Sequence, residues 1–101
     1  MKFWDSSAVV PLLVPEPGSE RLRKVHASDP VMIAWWGAEI ECGSAFARAE
    51  RAGRLPGTAA AEGRRRLVAL CRGWHEVEPS EELREAAKRL LRVHELRLRV
   101  P

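Results

Sequence analysis

Two kinds of apolar pattern alternate along this chain. Short continuous runs at Phe3-Trp4 and Val31-Met32-Ile33-Ala34 have the form of strands buried in a parallel sheet. Elsewhere apolar residues recur every three or four positions, which places them on one side of a helix. Lys2 to Trp4 is the first predicted strand, and it ends at Asp5. Ser6 and Ser7 can cap a helix through Ala8, Val9, Val10, Leu12 and Leu13, with Pro11 tolerable if it falls within the first turn. Pro15-Glu16-Pro17-Gly18 ends that helix. A second helix covers about Ser19 to Ala27 with Leu22 and Val25 inward, and Asp29-Pro30 breaks it before the second strand, Val31 to Ala34.

A third helix is expected from roughly Ala38 to Ala52, closed by Gly53, and a fourth from about Thr58 to Trp74. Leu67, Val68, Leu70 and Cys71 mark the apolar side of the fourth. Val77 anchors a short third strand from His75 to Glu78. Ser80 then caps a fifth helix with Glu81, Glu82 and Glu85 early and Lys88, Arg89 and Arg92 late, which matches the helix macrodipole. Its buried face would carry Leu83, Ala87, Leu90 and Leu91. This order predicts one α/β domain over residues 1–101 with a parallel sheet flanked by helices. In such sheets the binding site lies beyond the carboxyl ends of the strands. Asp5 ends the first strand, and Glu41 falls near the start of the helix that leaves the second. The two carboxylates are expected to converge there.

Composition narrows the setting without naming a function. Apolar residues make up 46% and charged residues 31% of the 101, the balance of a globular chain rather than a disordered one. The net charge of +3 is compatible with a nucleic-acid partner but too small to demand one. Cys42 and Cys71 lack metal-type spacing and sit among apolar residues, so they read as small core residues of a reducing compartment. The apolar run from Ala8 to Val14 is interrupted by Pro11 and lacks a cleavage-type ending, and nothing reaches membrane-spanning length. A cytoplasmic protein with no membrane partner is expected.

Asp5 is one of only two aspartates, beside an apolar strand. It reads either as the N-cap of the following helix or as a ligand for a cation. Glu41 interrupts a small-residue helix face formed by Ala38, Ser44 and Ala45, and periodicity alone does not separate it from Glu39.

The run Met1-Lys2-Phe3-Trp4-Asp5-Ser6-Ser7-Ala8-Val9-Val10-Pro11-Leu12-Leu13 resembles the opening of PIN domains of the VapC toxin type, where a strand ends in a metal-binding aspartate followed by a hydroxyl residue. Trp35-Trp36-Gly37-Ala38-Glu39-Ile40-Glu41-Cys42-Gly43-Ser44-Ala45-Phe46-Ala47-Arg48 is similar to the next motif of that family. There a glutamate stands three residues before a Ser-Ala pair, which selects Glu41. Glu16-Pro17-Gly18-Ser19-Glu20 and Trp74-His75-Glu76-Val77-Glu78-Pro79-Ser80 also look like such toxins. The resemblance implies a PIN-like three-layer sandwich and a Mg²⁺- or Mn²⁺-dependent endoribonuclease acting on RNA, neutralised by an antitoxin. Asp5 and Glu41 would be metal ligands and catalytic residues, and Ser7 would orient Asp5 or a metal-bound water. The alternative is a degenerate, non-catalytic PIN domain that serves as a binding or regulatory module.

The chain departs from the family pattern after Arg92-Val93-His94-Glu95-Leu96-Arg97. A third aspartate belongs a few residues on, but Leu98-Arg99-Val100-Pro101 follows, so the last strands and helix of the family fold are expected to be missing and activity impaired. A sheet lacking those strands would expose an edge, from which self-association is expected. Arg64-Arg65-Arg66 reads as a solvated helix face. His26, His75 and His94 have no ligand spacing. Trp4 and Trp35 are expected in the core, whereas Trp36 and Arg48 are the candidate RNA contacts.

Overall fold

The computed structural model describes residues 1–78, 80, 81, 84 and 85. Three strands, β1 (Lys2–Phe3), β2 (Met32–Trp35) and β3 (His75–Val77), form a parallel sheet in the order β1-β2-β3. Lys2 pairs with Met32 and Phe3 with Ile33, while Ile33, Ala34 and Trp35 pair with His75, Glu76 and Val77. The first crossover carries α1 (Ser6–Leu13) and α2 (Ser19–Ser28), the second α3 (Ala38–Arg51) and α4 (Gly57–Gly73). Both crossovers step the same way across the sheet, so right-handed connections put all four helices on one face.

That face holds the core. Met32 and Ala34 point into it and are buried, as are Trp4, Val9, Val14 and Leu67. Phe46 of α3 is the largest fully buried side chain, followed by Val9 and Cys42. The close approach of α4 depends on Gly63, where a Cβ would meet Val14 Cγ1 at 2.7 Å and Phe46 Cζ at 3.4 Å. The residues that alternate with Met32 and Ala34 face the other way. Phe3 is 57% exposed there and Ile33, its neighbour across the strands, is half-buried.

The mixed α/β architecture and the parallel sheet follow the expected element order, with shifts at the ends. β2 begins at Met32 rather than Val31 and extends to Trp35. The cap of α1 is Asp5, not a serine, so Pro11 lies beyond the first turn. Pro11 has no N–H to donate, and the helix ends two residues later at Leu13. The described residues form two layers, a coarser arrangement than a three-layer sandwich. Of the fifth predicted helix, only Ser80, Glu81, Arg84 and Glu85 are described, with Arg84 N–H donating to the Ser80 carbonyl at 2.9 Å. Its expected apolar face, His94 and the position of the third acid lie outside the described residues. No described helix is long and apolar enough to cross a membrane.

Candidate metal centre

Each of the first two strands ends in a strand-to-helix junction, and each junction carries one of the two acids. At the first, Asp5 is the extended N-cap residue of α1. Its Oδ2 accepts from Ser7 N–H at 3.2 Å and from Ser7 Oγ at 2.6 Å. Its backbone carbonyl takes the amides of Ala8 and Val9. The capping reading of Asp5 is therefore correct, and it does not exhaust the side chain. Asp5 is exposed, and Oδ1 has no hydrogen-bond partner among the described residues. Ser7 does orient Asp5, through both its amide and its hydroxyl.

At the second junction Gly37 is the N-cap of α3 and offers no side-chain cap. Glu41 lies one turn in, its amide bonded to the Gly37 carbonyl, where the unpaired amides of the helix start favour a negative charge. Its orientation comes from the strand before it. Trp35 donates its indole N–H to Glu41 Oε1 at 2.9 Å. The indole passes so close to Gly37 that a Cβ there would sit 2.3 Å from the ring. Oε2 has no hydrogen-bond partner among the described residues, and Glu41 is exposed. Glu39, two residues earlier and so on another side of α3, acts instead on Cys71 of α4, whose thiol is pushed up to about 12 by burial first and then by the Glu39 charge. The pair that periodicity leaves unresolved is thus divided by packing.

Ser6, Ser7 and Glu41 line a single open cleft of about 520 Å³, together with Val10, Glu16, Ile40, Ser44, Ala45 and Arg48. Cys42 lies beneath it, its Sγ 4.0 Å from the Ser6 carbonyl oxygen. Burial, then the charges of Glu41, Asp5 and Glu39, push the Cys42 thiol up to about 11. Both acids therefore act on one buried atom between the two junctions. Among the candidate residues, Ser7, Glu41 and Arg48 line this cleft, with Asp5 adjoining it through Ser6 and Ser7. Trp36 is outside the lining, 53% exposed, and meets Trp35 edge-on at 6.3 Å between ring centres.

Two cleft features have little trace in the sequence. Glu16 adds a carboxylate to the lining from the loop after α1. Trp35, expected in the core, is only half-buried and is a polar partner of Glu41. A glycine two residues after a tryptophan, with a glutamate four beyond, is the one sequence signal for that contact. No group of three or more His, Cys, Asp or Glu able to hold a metal occurs among the described residues. Arg64, Arg65 and Arg66 pair with Glu50 and Glu62 instead of presenting a free basic patch. No protein-family model matches the chain, and no curated protein matches it.

Proposed function

We propose that the cleft between the two junctions holds Mg²⁺ or Mn²⁺ and that the chain is a PIN-like domain of the VapC toxin type whose substrate is RNA. The observation that carries this reading is the shared state of the two carboxylates. Each has one oxygen held by a neighbour, Ser7 or Trp35, and one oxygen without a hydrogen-bond partner at the carboxyl end of the sheet. Exposed carboxylate oxygens suit a small hard cation that keeps most of its waters and takes one or two protein ligands plus a phosphate. Asp5 Oδ1 and Glu41 Oε2 would be those ligands. A bound ion would polarise the RNA phosphate and lower the pKa of an attacking water.

Around that pair the chain's own residues have distinct roles. Ser7 fixes the Asp5 rotamer through two donors. Arg48 lines the same cleft and offers a guanidinium to a backbone phosphate, while exposed Trp36 offers a face for base stacking. The sequence resemblance also implies an antitoxin partner; self-association is supported separately, by the exposed Phe3 on the sheet face opposite the helices.

The test is calorimetric titration of Mn²⁺ and Mg²⁺ into the native protein and into Asp5→Asn and Glu41→Gln. Native binding that each substitution abolishes supports the reading; ion affinity unchanged by either substitution refutes it. That no group of three or more His, Cys, Asp or Glu able to hold a metal occurs among the described residues favours a second reading, a non-catalytic PIN-like domain that serves as a binding or regulatory module. Cleavage of single-stranded RNA in millimolar Mg²⁺ or Mn²⁺ separates the two. With no group of three acids able to hold a metal among the described residues, we expect slow cleavage or none, each tenfold in rate corresponding to about 1.4 kcal/mol of barrier.

A further inference from the structure

We draw no further inference here: the strongest candidate, the apolar sheet face opposite the helices, where exposed Phe3 and Val31 flank the half-buried Ile33, is an unpartnered surface, and nothing among the described residues shows what covers it.

Discussion

The ends of β1 and β2 present the same problem, an acid at a strand-to-helix junction, and they solve it differently. At the first, the acid is the cap. Asp5 and Ser7 are two residues apart, and one local turn both starts α1 and aims the carboxylate. At the second, capping and aiming are separate. Gly37 starts α3 without a side-chain bond, and Glu41 is held by an indole six residues earlier on the strand. The first acid is therefore tied to helix stability, whereas the second can change without loosening its helix. A local device gives one residue two duties; a tertiary contact separates them.

The largest effect should come from the floor common to both junctions. Phe46 is fully buried against Gly63, in the core that also holds Val9 of α1. Phe46→Ala should cost about 3–5 kcal/mol, as large-to-small substitutions in packed cores do. Chemical denaturation should show one weakened transition, since α1 and α3 share this core. Two separated transitions would mean that the junctions are independent.

Next in size is the contrast between the acids themselves. Without metal, Asp5→Ala should lose about 1 kcal/mol, the usual cost of deleting an N-cap. Glu41→Ala should stay within about 0.5 kcal/mol of the native protein, as exposed substitutions generally do. Thermal melts of the two variants side by side check this. Equal losses would erase the distinction between the junctions.

The same contrast explains what the sequence made legible. Asp5 could be placed because strand end, cap and hydroxyl partner lie within three consecutive residues, and a linear pattern can carry a local turn. The α/β order was readable from apolar rhythm for a similar reason, each element having its own period. Trp35 was not, because a tryptophan at the end of an apolar run looks like core. Its exposure depends on how far β2 extends, and its polar partner depends on Gly37 allowing the ring across. Glu41 could be told from Glu39 by residues only through family resemblance; in the fold, Glu41 lines the cleft and takes the Trp35 indole N–H, and Glu39 does neither. Glu16 reached the cleft through the path of the loop after α1, which no periodicity describes.

A smaller effect should come from Ser7→Ala. It deletes the 2.6 Å hydroxyl contact to Asp5 but leaves the Ser7 amide as the capping donor. The loss should be about 0.5 kcal/mol, the low end for one exposed hydrogen bond, and below that of Asp5→Ala. A loss matching Asp5→Ala would assign the whole cap to the hydroxyl. Comparing melts of the single and double variants isolates the shared part.

The smallest expected effect reads both junctions through one atom. The Cys42 thiol is pushed up to about 11 by burial first, then by Glu41, then by Asp5. Neutralising either acid makes the thiolate easier to form, so the Cys42 pKa should fall in Glu41→Gln and, less, in Asp5→Asn. It should remain above its ordinary value of 9.0 in both, since burial, the largest cause, is untouched. Thiolate absorbance titrated in a Cys71→Ser background, without metal, measures this directly. Linkage gives a matching stability signature. A thiol raised in the folded state contributes stability that is intact below about pH 9 and is lost as pH climbs toward about 11. Glu41→Gln should narrow that alkaline window more than Asp5→Asn does. The reverse order would place Asp5 nearer the thiol than Glu41, and the two junctions would then have exchanged roles over the buried cysteine.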